Sequence, residues 1–298
     1  MLTYIAAYDG SDASRAAVRF AADLARAEDA QVIAAHAYPY ISPAGMRGAV
    51  PEAQRALQED ARNAGRTVLE GLDVDGIARR ILVCGSPARA LHELAVAEQA
   101  SLISVGVTHH EHLGRLVPGS VAAKLLHGAP CPVATVPAGA ASHGVATIGV
   151  AYDGGVEARG ALAAAERLAT LLGARMVLIG ALEQSIYAGP ALATAWDLDP
   201  AVRAALEQDL REAADGIAEI DVETRVVTGS AARAITDAAR DGIDLLVAGS
   251  RSYGPMRSVL LGSVSRHLVD HAHCPVIVVP RGAEAEIDRE PRHAAASA

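Results

Sequence analysis

Short, largely apolar runs alternate along the chain with longer stretches in which apolar residues recur every three or four positions. Residues 2–8 form one such run, stopping at Asp9-Gly10, and predict a strand buried on both faces. Ser11, Asp12 and Ser14 are helix-start residues, and an alanine-rich helix follows to about residue 29. The pattern continues with a strand over 31–37, a helix opened by Pro51 and Glu52, and a strand over 80–84. A helix over 87–100, a strand over 102–107, a glycine-bearing loop, a helix over 120–127 and a strand over 132–136 complete the set.

The same succession then runs a second time. Strands are predicted over 145–152, 175–181, 224–228, 245–249 and 275–279. Helices are predicted over 156–172, from Asp199 and Pro200 onward, over 231–242 and over 263–272. Individual residues carry the repeat. Ala7-Tyr8-Asp9-Gly10 returns as Ala151-Tyr152-Asp153-Gly154, 144 positions on, and Gly85-Ser86 returns as Gly229-Ser230 at the same offset. Gly119-Ser120-Val121 returns as Gly262-Ser263-Val264 and Cys131-Pro132-Val133 as Cys274-Pro275-Val276, both at 143. Four matches in one order, with a single slip, mark a tandem duplication. The expected division is a domain over 1–138, a small-residue linker to Gly144, and a second domain over 145–281. Residues 282–298, charged and then rich in Ala and Ser, are expected to be a disordered tail.

Strands alternating with helices at this spacing predict the α/β class: right-handed βαβ units on a parallel, doubly wound sheet. Such sheets bind ligands beyond the carboxyl ends of the strands, where the strand order reverses. In the flavodoxin-type order 3-2-1-4-5 that point lies between strands 1 and 4. Asp9 or Asp153 ends strand 1 and the glycine loop follows strand 4, so the two motifs of each copy converge there.

Composition narrows the function. Half of the 298 residues are apolar (51%) and only 3% are aromatic, which suits small aliphatic strands sandwiched by helices. The net charge of −9 offers no footprint for nucleic acid or an anionic membrane. Arg15, Arg19 and Arg26 are diluted by Asp12, Asp23 and Glu28 and read as a solvated helix face. Lys124 is the only lysine, which excludes a Walker A loop. Three cysteines without a C-x-x-C pair indicate neither a disulfide framework nor a zinc site. The chain opens directly on a strand-like run and contains no uninterrupted apolar stretch of membrane-spanning length, so a cytoplasmic protein is expected.

The candidate chemistry lies after strand 4. In the second copy Gly249 lets the backbone pass close to a ligand, and Gly262-Ser263 opens a helix whose free N–H groups and dipole favour an anion. Ser263 and Ser265 offer further donors, and Arg251 or Arg257 offers charge. In both copies the two glycines stand thirteen apart (Gly106 and Gly119, Gly249 and Gly262). An ordinary turn and N-cap would use the same residues. Asp9 and Asp153 suit an Asx-turn, a general base or a Mg²⁺ contact. His109, His110, Glu111 and His112 lack metalloprotease spacing, and His267 and His271 lack a completing carboxylate or cysteine, so no metal site is expected. No G-x-S-x-G elbow or Ser/His/Asp order is present.

These residues resemble the universal stress protein family, whose ATP-binding members carry G-x-x-G-x9-G-[ST] between strand 4 and the last helix. The resemblance covers nearly the whole chain. It implies two flavodoxin-like five-stranded modules joined through their closing strands as an intramolecular pseudo-dimer, with a homodimer of such chains also open. It implies ATP, accompanied by Mg²⁺, as ligand. The contacts carried over are Asp153, Ala181, Gly249, Arg251, Ser252, Gly254, Gly262, Ser263, Val264 and Ser265 in the second copy. In the first they are Asp9, Ala37, Gly106, His109, Gly119, Ser120 and Val121. The family's second glycine is replaced by Ser252 in one copy and His109 in the other, and the first copy adds Pro118 and has Ala122 where the second has Ser265. The second site is therefore expected to be the stronger. The expected function is a nucleotide-binding stress-response protein without dedicated catalysis, acting on an unidentified protein partner. A slow ATPase or nucleotide transferase, and an interaction protein that has lost its nucleotide, are the alternatives.

Overall fold

The computed structural model describes residues 1–42, 51–110, 115–117, 120–140, 144–183, 200–250 and 261–280, with the backbone alone for 108–110, 115–117 and 120. The first half runs β1 (Thr3–Ala7), α1 (Asp12–Glu28), β2 (Gln31–Tyr38), α2 (Pro51–Glu70), β3 (Ile77–Cys84) and α3 (Pro87–Ala97). It continues with β4 (Leu102–His110), β5 (Arg115–Val117), α4 (Ser120–Leu125) and β6 (Val133–Pro137). The second half runs β7 (Thr147–Ala151), α5 (Val156–Leu172), β8 (Arg175–Leu182), α6 (Pro200–Asp215) and β9 (Val222–Thr228). It closes with α7 (Ala231–Ala239), β10 (Leu245–Gly249), α8 (Ser263–His271) and β11 (Val276–Val279).

Each half has the order 3-2-1-4-5, and the halves share one sheet: β3-β2-β1-β4-β6-β11-β10-β7-β8-β9. Along this ten-strand path pairing is parallel within each half and antiparallel at the junction, where Val133, Ala134 and Thr135 oppose Val278, Ile277 and Val276. The two closing strands, buried along their whole length, leave neither half with a free edge there. The outer edges are β3 and β9, whose exposed Arg79, Arg80 and Glu223 discourage pairing with another chain.

Period-two alternation divides the strands between two cores. Ile5, Ile33, Ile103, Val133, Ile179 and Val276 face α3, α4, α7 and α8. Tyr4, Ala6, Val32, Ala34, Met176 and Ile277 face α1, α2, α5 and α6. Both cores are continuous across the junction, because its axis runs through the sheet and keeps like helices on the same face. On the α1/α5 face the contact is also ionic. The Glu28 side chain, only 1% exposed, receives the Tyr4 hydroxyl and lies 3.1 Å from Arg167 of the other half. Burial, then the Glu28 charge and hydrogen bond, push the Tyr4 phenol far above its ordinary value.

One element departs from expectation. β4 does not end at Val107 but runs to His110 and folds back on β5, pairing Thr108, His109 and His110 with Val117, Leu116 and Arg115. Beyond the sheet its backbone groups have no neighbouring strand, and the hairpin satisfies them locally. β5 then lies against α8 of the second half. The expected tail falls outside the described residues, and no described helix is long and apolar enough to cross a membrane.

Candidate ligand site at the switch points

At the end of each first strand the chain turns through an Asx-turn. Gly10 and Gly154 adopt φ of 91° and 76°, which side chains with a Cβ resist. Asp9 Oδ1 accepts from the Ser11 N–H at 3.0 Å and the Ser11 hydroxyl at 2.6 Å, and Asp153 Oδ1 accepts from the Gly155 N–H at 2.9 Å. Burial alone would raise the Asp9 carboxyl, but the hydrogen bonds from Ser11, with Ser14 assisting, hold it below the usual value. Oδ1 of each carboxylate is thus used by the turn, and both residues border a cavity.

Strand 4 arrives opposite. A Cβ on Gly106 would stand 2.3 Å from the Ala13 carbonyl carbon, and one on Gly249 would stand 2.6 Å from the Glu157 oxygen. Glycine is therefore required here so that the first turn of α1 or α5 can press against the strand end, not to clear space for a ligand. The Ser104 hydroxyl, donating to Ala17 O at 2.9 Å, ties β4 to α1 in the same place.

Matching positions of the two halves line two cavities. Asp9, Ala37, Gly106 and Val121 border the first, and Asp153, Ala181, Gly249 and Val264 the second. Their sizes differ: about 240 Å³ against about 870 Å³. Pro87, Leu91 and Val105 in the first give way to Ala231, Ile235 and Ala248 in the second, and Ser14 to Ala158.

The second cavity is bordered by the N-terminus of a longer helix. Gly262 is the N-cap of the nine-residue α8, with Ser263 and Val264 as its first residues. Ser265, expected as a ligand donor, borders the cavity, is 3% exposed, and its hydroxyl accepts from the Gly262 N–H at 2.9 Å. That bond fixes the entry of the helix and leaves the N–H groups that follow to the cavity. Ser250, which the sequence did not single out, borders the same cavity. It is 8% exposed, and its buried hydroxyl has no partner among the described residues. An orphaned buried hydroxyl costs about 1–3 kcal/mol unless something bonds it. In the first half the corresponding α4 spans only six residues.

A separate cleft of about 890 Å³ lies at the junction of the halves, with Arg15, Arg19 and Arg26 on its wall. Its acids match them: Asp23 pairs with Arg26 at 3.0 Å, and Asp244 holds the N–H groups of Ala146 and Thr147. The switch points carry the more directed chemistry. Arg251, Ser252, Gly254 and Gly119 lie outside the described residues, and His109 and Ser120 are described in backbone only. His267 and His271 stack with ring centroids 3.9 Å apart. No group of three metal-ligating side chains occurs among the described residues.

The model of the universal stress protein family matches residues 3–137 and again 145–280. The chain belongs to the universal stress protein family. A universal stress protein of Thermus aquaticus is 33% identical over 136 residues, spanning 45% of this chain and 97% of its own length. One from Mycolicibacterium smegmatis is 27% identical over 293 residues, covering 91% of this chain and 94% of its own, so the tandem arrangement extends through both. The crystal structure of a universal stress protein from Archaeoglobus fulgidus superposes with a TM-score of 0.68 over 94% of this chain and 98% of that one, at 19% identity. The fold is thus that of a tandem universal stress protein.

Proposed function

We propose that the second module binds an adenine nucleotide, ATP with Mg²⁺, and that the protein is a stress-response regulator without dedicated catalysis. The observation that carries this reading is the unpartnered Ser250 hydroxyl beside the open N-terminus of α8, in a cavity whose far wall bears Asp153. A phosphate would satisfy Ser250 and the N–H groups of Ser263 and Val264 together. Ala181, at the end of β8, and Gly249 would border the nucleoside, and Arg251, Ser252 and Gly254 of the neighbouring segment complete the expected contacts. Mg²⁺ would offset phosphate charge, with Asp153, Glu157 and Glu183, which border the cavity, as the carboxylates to meet its waters.

A regulator is favoured over a slow ATPase or nucleotide transferase because Lys124, the chain's one lysine, sits on α4 and not in the phosphate loop. For the first module, the cavity of about 240 Å³ and the short α4 favour a half that has ceded the nucleotide and serves as scaffold. Extraction of nucleotide from purified protein, with thermal shift on adding ATP and Mg²⁺, tests the reading. One nucleotide per chain is expected, lost in Gly262→Val and kept in Gly119→Val. Among the described residues a Cβ at Gly262 meets only Ser265 Oγ, at 3.6 Å, and an unchanged melting temperature without nucleotide verifies that the variant folds. No nucleotide and no shift would refute the proposal, and turnover at enzyme-like rates would refute the regulator.

A further inference from the structure

The antiparallel junction has a consequence for the second site. Because β6 and β11 run in opposite directions, the carboxyl end of the second module's sheet lies level with the amino end of the first module's. Helix α4 runs back toward that amino end, so its C-terminus points to the end of the molecule where the second cavity opens. His127, two residues past α4, is the one first-module residue that borders this cavity among the described residues, alongside Ser263 and Arg266 of α8. The first cavity is bordered by first-module residues throughout the described set.

Resting on the nucleotide reading, we propose that His127 is a phosphate-contacting residue of the second site, which makes that site a composite of both modules. The ring is held for it. His127 Nδ1 lies 2.6 Å from the carbonyl oxygen of Ala123, and since a carbonyl only accepts, Nδ1 carries the hydrogen; in the imidazolium form Nε2 carries a second one, which is left to donate to a phosphate. The ring stands at the C-terminal end of a helix, where positive charge is favoured, and borders the same cavity as Arg266 and the N-terminus of α8, where an anion is favoured. The duplication points the same way. The counterpart of His127, 143 positions on, is Asp270, which pairs with Arg266 at 3.1 Å. A basic residue thus crosses the junction toward the open cavity, and an acidic one occupies the matching place on the other side.

Calorimetric titration of the full chain with ATP, ADP and adenosine decides the matter, using wild type, His127→Asp, His127→Gln, His127→Arg and Gly262→Val. His127 is exposed, so its substitutions leave the fold intact, and an unchanged melting temperature verifies this. His127→Asp is expected to weaken ATP about tenfold and His127→Gln about threefold, with His127→Arg near wild type, on the scale of one charge-assisted hydrogen bond. Adenosine should change less than about twofold in all three, because it lacks the phosphates. If His127→Asp binds ATP as wild type does while Gly262→Val does not, the composite site is wrong and the nucleotide reading stands. If wild type binds none of the three, the nucleotide reading itself falls, and this inference with it.

Discussion

At the scale of single residues, the two glycines of the second site have opposite reasons for being glycine. At Gly249 a Cβ would strike the Glu157 backbone at 2.6 Å, and neither a strand end nor a helix turn can yield by that amount cheaply. At Gly262 the same atom meets one hydroxyl at ordinary contact distance, and the backbone is extended rather than left-handed. The same replacement should therefore have different effects. Gly249→Ser is expected to cost about 2–3 kcal/mol through overpacking, and Gly262→Ser to stay within about 0.5 kcal/mol because serine is a good N-cap. Urea denaturation of the two variants checks this. Equal losses would mean that the close approach at Gly249 does not set its identity. Ser250 shows the limit of reading residues alone: a serine after glycine is unremarkable in sequence, and only its burial without a partner marks it.

At the scale of elements, α1 and α5 meet across the junction through Tyr4, Glu28 and Arg167. A carboxylate so deeply buried depends on both partners. Arg167→Ala is expected to destabilise the protein by about 3 kcal/mol, moderated because Arg167 itself is partly exposed. Tyr4 sets the alkaline limit. Its pKa is raised on folding, so folded and unfolded chains both hold the proton below pH 10.0. Above that the unfolded chain releases the proton and the folded one keeps it, so stability falls as pH rises. Cys274, pushed up to about 12 from 9.0 chiefly by burial, adds the same sign of loss between those two values. Denaturation midpoints at pH 8, 10 and 11 should decline, and Tyr4→Phe should make the decline shallower. An unchanged slope in that variant would remove Tyr4 from the account. None of this trio was legible in the sequence, since its members lie 24 and 139 positions apart and only the packing of like helices brings them together.

At the scale of the whole molecule, the halves behave as one body because β6 and β11 close a common sheet and both cores pass through them. A fragment ending at the linker exposes the edge of β6, which is buried along its whole length in the full chain. It is expected to run as a dimer in light scattering, a second β6 standing in for β11, and a stable monomer would show that the junction contributes little. The duplicated sequence specified a great deal without help. Strand and helix periods, the turns after each first strand and the order of motifs fixed two like α/β modules and directed attention to the ends of strands 1 and 4, because those signals are local and repeat. The sequence also marked the first copy as the altered one through His109 and Pro118. Other features depended on distant segments meeting: the hairpin of β4 with β5, the packing duty of Gly249, the turning inward of Ser265, the isolation of Ser250, and the reach of His127 across the junction. Their physical cause is the antiparallel pairing of two closing strands, which sets the end of one module beside the opening of the other, and no spacing within either repeat encodes that.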